Sequence, residues 1–328
     1  MTKIAHHSVP PLFILAGALL PFAGLSPISE DFVILSAYYL LLAGSWNLLA
    51  GFTGQYSFAH IGLAAAGAYG TAGVIFLLDL PGWAGLLLMP LAVAIVGYGL
   101  GLVSLRVRGV QLPLITFAFA GAFAVFLSAA TDITGGSMGM PIPRLVEGIS
   151  RAPFLVLAGV LVGTYFLLQN LVLDGRLGLL MAAVRDGENV ARGMGVNVFR
   201  VKITAFVITS AVAGLAGAFY ANYVGVLAPS MLSINEMGMV VAMAVVGGLG
   251  HRYGALIGVA SIRLIEHVIR GFGAEYTLVT VTALTLLVVM FFREGLVVAC
   301  ESVIRRIIPA RHRWSDTGEK PESRQLVG

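Results

Sequence analysis

The sequence predicts an all-α fold, a polytopic transmembrane helical bundle of about ten spans, and three observations carry that expectation. Of the 328 residues 58% are apolar and only 11% are charged, whereas a soluble domain has roughly a quarter of its residues charged. Apolar segments near the ~20 residues needed to cross a bilayer recur along the whole chain. Sixteen of the twenty Lys and Arg residues fall on one side of the resulting topology, as the positive-inside bias requires. A large extramembrane domain has no room in this arithmetic.

The segments expected in the first half are 11–26, 32–51, 57–78, 83–105 and 110–130. The first is read as a span rather than a cleaved leader, because its apolar run continues past Ala16-Gly17-Ala18 to Leu25. The second half adds 152–173, 203–224, 236–250, 253–270 and 276–292, the eighth and ninth being short. An even number of crossings with the basic loops inside puts both termini in the cytoplasm. Residues 1–292 then form one transmembrane domain, and 293–328 a basic cytoplasmic tail expected to be partly disordered. The 41 glycines are nearly twice the usual ~7%, and runs such as Ala213 to Ala218 suit close helix contact.

Catalytic patterns are missing. The three lysines, Lys3, Lys202 and Lys320, stand in no GxxxxGK[ST] phosphate loop. There is no HExxH and no GxSxG, and the single cysteine, Cys300, excludes a CxxC site. An enzyme and a cofactor-binding chain are therefore not expected. The net charge of +4 is read as an orientation signal rather than a nucleic-acid footprint. Val96-Gly97-Tyr98-Gly99 resembles a potassium filter, but Ile95 replaces the threonine and the string lies inside an apolar span, so it is read as packing surface.

Three groups of residues carry the functional expectation. The cytoplasmic loop 174–202 contains Val190, Met194 and Val198 at intervals of four, an apolar ridge on a helix from Glu188 to Arg200. Ala191, Arg192 and Gly195 complete this candidate coupling surface. Glycine-rich breaks follow the second and eighth segments, at Gly51 to Ser57 and Gly247 to Gly254, and read as a weak internal pseudo-repeat. Asn47, Gly51, Gly54, Gln55, Ser57, His60, Gly247, Gly248 and Gly250 are the candidate pathway and hinge residues. Finally, Arg263, Glu266, His267 and Arg270 share one helical stripe within an apolar segment. Such charges are either a packing clasp or part of an ion relay.

The string Asn47-Leu48-Leu49-x-Gly51-x-x-Gly54-Gln55-x-Ser57-x-x-His60 resembles the M-type permease subunit of branched-chain amino acid ABC importers. The resemblance continues through Gly67-Ala68-Tyr69, Arg106-x-Arg108-Gly109, Thr116 to Phe119, Thr134-Gly135-Gly136-Ser137, Gly175-Arg176, Ala205-Phe206, Ala213 to Ala218 and Val246 to Gly250. It implies a bacterial inner-membrane subunit that pairs with a second homologous permease and receives substrate from a periplasmic binding protein. It also implies two cytoplasmic ATPases that use ATP on separate chains. The family's docking loop resembles EAAxxxG, and Asn189-Val190-Ala191-x-x-x-Gly195 matches it at Ala191 and Gly195, with Glu188 one position early. Phe292 to Leu296 lacks the proline expected before Gly-Leu. The alternative reading is a secondary transporter or channel driven by an ion gradient.

Overall fold

The computed structural model describes residues 2–24, 26–104, 111–145, 151–269, 283 and 295–297. Nearly all of them are helical. The first-half helices are α1 (Thr2–Leu19), α2 (Pro27–Thr53), α3 (His60–Leu77), α4 (Gly82–Ser104), α5 (Gln111–Ala129) and the single turn α6 (Thr131–Thr134). The second half has α7 (Ala152–Asp174), α8 (Arg176–Asp186), α9 (Glu188–Gly193), α10 (Val198–Val224), α11 (Ile234–Gly247) and α12 (Gly254–Ile269). Nine of these helices correspond to the first nine expected segments. Six of the described helices are long and apolar enough to cross a membrane: α2, α3, α4, α5, α7 and α10. The tenth expected segment, the tail, Arg106, Arg108 and Arg270 lie outside the described residues.

The centre of the bundle is α2 and α10, which touch each other and share α3 as a neighbour. Both are apolar all round, with small residues where they meet other helices, as a fully buried helix should be. Pro27 opens α2 behind the Ser26 cap, and Gly54, at φ 72°, closes it in the left-handed conformation that glycine adopts freely. Helices α4 and α5 lie outside, with few of their residues buried. Within α4, Gly97 and Gly101 face α10 while Ile95 and Tyr98 point outward, so the filter-like string is an ordinary helix face.

Apolar burial supplies little drive between helices in lipid, so close backbone approach has to substitute for it. A side chain at Gly217 would overlap the Ala64 carbonyl of α3, and one at Gly67 would overlap Gly214. Helices α1 and α7 cross in the same way, where a Cβ on Gly17 would lie 2.6 Å from the Gly159 Cα. Gly163 faces Ile14 and the Pro10 carbonyl, so α1 runs antiparallel to α7 and starts at the end of the bundle where α7 meets α8. At the opposite end Arg151 Nε lies 2.8 Å from Asp31 Oδ1, and Tyr223 also donates to Asp31, tying α2, α7 and α10 together. A short antiparallel pair, β1 (Met140–Pro141) and β2 (Val226–Leu227), joins the connections on that side.

Gly217→Val is expected to prevent the α3–α10 contact and reduce folded protein recovered in mild detergent at least fivefold. Gly99→Val, where a side chain meets open space on α4, should leave recovery within twofold; monodispersity on size-exclusion chromatography is the check.

Candidate functional site

The two glycine-rich breaks are junctions between consecutive helices, and the fold presses them against each other. Asn47, on the last turns of α2, is fully buried. Its Nδ2 donates to the His251 carbonyl at 3.0 Å, and its Oδ1 accepts from the Gly250 N–H at 2.9 Å. One side-chain amide thus satisfies both polarities of the α11–α12 turn. Gly51 lies one helical turn further on, and a Cβ there would sit 2.7 Å from the Gly250 Cα. Gly250, at φ 77°, needs the left-handed conformation and also faces Arg185 of α8. Gly247 and Gly248 close the hairpin, with Gly247 against Gly254 and Gly248 against Gly295.

Helix α7 grips the same turn from the other side. Gln169 Nε2 donates to the Arg252 carbonyl at 3.1 Å, Arg252 donates to Asn170 Oδ1 at 3.2 Å, and Arg252 forms an ion pair with Asp174. Sequence reasoning missed Gln169, Asn170 and Asp174 as partners. Two adjacent amides closing an otherwise apolar segment were the signal available for them.

Gln55, Ser57 and His60 lie in and just after the connection from α2 to α3, and all three are buried. Gln55 Nε2 donates to Thr53 Oγ1 at 2.8 Å and to the Lys202 carbonyl at 3.4 Å, linking this connection to α10. The Ser57 hydroxyl accepts from the Ala59 N–H at 3.2 Å. Gln55 Oε1 and both His60 ring nitrogens have no hydrogen-bond partner among the described residues. Such buried orphan acceptors and donors are costly.

The candidate coupling surface departs from the single helix expected over Glu188 to Arg200. Helix α9 ends at Gly193; Gly195 takes φ 82°; Asn197 then caps α10, its side chain accepting from the Arg200 N–H at 3.0 Å. A left-handed glycine and an N-cap asparagine stop one helix and start another. The apolar ridge is consequently two residues long. Val190 and Met194 are 67% and 68% exposed, while Val198 turns inward and Ala191 is buried. Glu188 pairs with Lys202 and lies 3.7 Å from Arg192, fastening α9 to the start of α10.

The charged stripe on α12 folds back on itself. Arg263 is 3% exposed and forms an ion pair with Glu266 one turn away. Its guanidinium also lies over Phe32 and Tyr39 of α2, at 5.5 and 5.3 Å from the ring centroids. His267 packs edge-on against Phe32.

Gly51→Ala is expected to force the two junctions apart and lower stability by at least ~2 kcal/mol, an overpacking cost. Gly193→Ala, with open space around it, should change stability by less than ~0.5 kcal/mol; unfolding in detergent monitored by tryptophan fluorescence distinguishes them.

The family model described as the branched-chain amino acid transport system, permease component, matches residues 28–290. The permease protein LivM of the high-affinity branched-chain amino acid transport system of Salmonella typhimurium is 29% identical over 82% of this chain and 69% of its own length. LivH of the same organism is 26% identical over 80% and 92%, and BraD of Pseudomonas aeruginosa is 27% identical over 79% and 91%. No solved structure matches the chain. A helical membrane bundle with this match over most of its length belongs to the family of branched-chain amino acid transport permease components.

Proposed function

We propose that the chain forms half of the inner-membrane translocation path of a bacterial ATP-driven importer for branched-chain amino acids or related small amino acids and amides. A second homologous permease forms the other half, a periplasmic binding protein delivers the solute, and two cytoplasmic ATPases drive the cycle with ATP that this chain does not bind. The transmembrane domain, 1–292, crosses ten times with both termini in the cytoplasm. The α2–α3 and α11–α12 junctions are the corresponding breaks of a weak pseudo-repeat, and residues 293–328 form the cytoplasmic tail.

The exposed α8–α9 segment carries this reading. Val190 and Met194 stand out from a loop otherwise bearing Arg185, Arg192 and Arg200, and an exposed apolar pair rimmed by charge suits docking of a partner. Arg185 connects that surface to the Gly54 and Gly250 junctions. Movement imposed on α8 by ATPase closure therefore reaches α2 and α12 through short, polar, well-packed contacts. Gln55, Ser57 and His60 then become accessible as the junctions part. An ion-gradient mechanism is less supported, since Arg263 and Glu266 pair with each other within one turn of α12.

Gly195 is the residue to test. Its backbone is left-handed and its Cβ position is open, so the cost of substitution is conformational, roughly 1–2 kcal/mol for most residues and less for asparagine. Gly195→Ile is expected to lower ATP-dependent uptake at least tenfold while membrane insertion and ATPase turnover persist. Gly195→Asn should keep more than half of the uptake, measured with the reconstituted transporter. Full uptake by Gly195→Ile would remove the docking role.

A further inference from the structure

The end of the bundle remote from the coupling loop holds a cavity of about 180 Å³, walled by Tyr38, Tyr39, Tyr220, Ser230, Met231 and Glu236. At ~1.5 Å rise per residue, Tyr39 stands roughly 12 Å along α2 from Asn47. The cavity is smaller than the roughly 300–1,000 Å³ of drug-sized sites, and its wall is mainly polar, in contrast to the apolar groove between α1, α2, α7 and α12.

Glu236 occupies the third position of α11, behind a Ser233 cap whose hydroxyl accepts from the Glu236 N–H at 3.2 Å. A glutamate at that position commonly turns back to the cap N–H. Here Oε2 accepts from the Tyr39 hydroxyl at 2.8 Å instead, and no basic side chain pairs with the carboxylate among the described residues. An ionised carboxylate offers about four acceptor sites, so most of its capacity is unspent. Tyr39 is itself held from behind by the Arg263 guanidinium, whose charge is answered by Glu266. That pair closes on itself and leaves Glu236 as the unbalanced charge of the cavity.

Tyr38 is 4% exposed, lines the cavity, and has no hydroxyl partner among the described residues. Its ring lies 5.1 Å from that of Tyr39 and 4.8 Å from that of Tyr220, giving an aromatic wall beside the carboxylate. A half-buried carboxylate with no basic partner among the described residues, flanked by aromatic rings, matches a protonated amine. Charge-assisted hydrogen bonds and the ring faces both favour it. The spare hydroxyls of Tyr38 and Ser230 can donate to a carboxylate, and Met231 supplies an apolar contact.

We propose that this cavity is a solute subsite in which Glu236 binds the ammonium end of a small zwitterion on the face opposite the coupling loop. The proposal rests on the permease reading above and adds to it where, and by which chemistry, the solute is first held.

The test uses right-side-out membrane vesicles containing the full transporter with this chain as wild type, Glu236→Gln or Glu236→Asp, the amount in the membrane being measured by immunoblot. Uptake of labelled leucine and other amino acids is followed in the presence of 3-methylbutylammonium, which lacks the carboxylate, or 4-methylpentanoate, which lacks the ammonium. The ammonium compound should inhibit wild-type uptake and the carboxylate compound should not. Glu236→Gln should raise the half-saturating amino acid concentration and the half-inhibitory ammonium concentration at least tenfold each. Its maximal rate should stay within threefold, and Glu236→Asp should recover part of the loss. Unchanged ammonium inhibition, or a fall in maximal rate alone, overturns the subsite and leaves the permease reading standing. Absence of chain-dependent uptake of any amino acid by wild type overturns both. Should Glu236→Gln fail to reach the membrane, Tyr38→Phe removes one of the hydroxyls assigned to the solute carboxylate while sparing the Tyr39–Glu236 bond; a threefold or greater rise in half-saturation supports the subsite, and an unchanged value overturns it.

Discussion

The two hydrogen bonds of the Asn47 amide fasten α2 to the α11–α12 turn, around which the α8–α9 end of the molecule is arranged. One side chain supplies a donor to His251 and an acceptor to Gly250, so the turn between α11 and α12 is fixed in both position and orientation against α2. Away from water each bond matters chiefly because leaving its partner unmade costs about 1–3 kcal/mol. Gly51 and Gly250 let the backbones approach closely enough for those bonds to form. Arg252 extends the arrangement to α7 through Asn170 and Asp174, and Arg185 brings α8 against the same turn. Five helices from three parts of the sequence, α2, α7–α8 and α11–α12, therefore meet in one polar block inside an otherwise apolar protein.

The two ends of the bundle are built on different principles. At the α8–α9 end, glycine contacts and side-chain amides make a closely packed junction. The opposite end has an ion pair and a tyrosine joining α2, α7 and α10, a two-residue β ladder, and a tyrosine-walled cavity. The Arg263–Glu266 pair stands between these styles. Burying both charges close together limits the cost that either would carry alone, and the guanidinium fixes Tyr39 at the edge of the cavity. A stripe that resembles a relay in one dimension is, in three, a brace between α12 and α2.

Much of this was legible in the sequence because membrane spans are local features. Apolar runs of the right length located nine described helices, and Gly54, Gly97 and Gly217 marked real turns or close contacts. The loop between α7 and α10 was read less well. A spacing of four suggested one helix over Val190, Met194 and Val198, although Gly195 and Asn197 already spelled a stop and a start. Periodicity and capping point to different helix boundaries there, and the capping residues decide the structure. The meeting of the two glycine-rich junctions was not legible, because nothing local to residue 47 specifies residue 250. The surroundings of Glu236 were no more legible, because its three tyrosine neighbours come from α2 and α10.

In the proposed transport cycle the Asn47 clamp carries movement from the α8–α9 loop into the core. The number of ATP molecules hydrolysed per solute imported by the reconstituted transporter, compared between wild type and Asn47→Ala, measures this directly. The account predicts that the ratio rises at least fivefold in Asn47→Ala while the ATPase subunits remain bound. An unchanged ratio with full uptake, or uptake that proceeds with no ATPase subunit present, would contradict it.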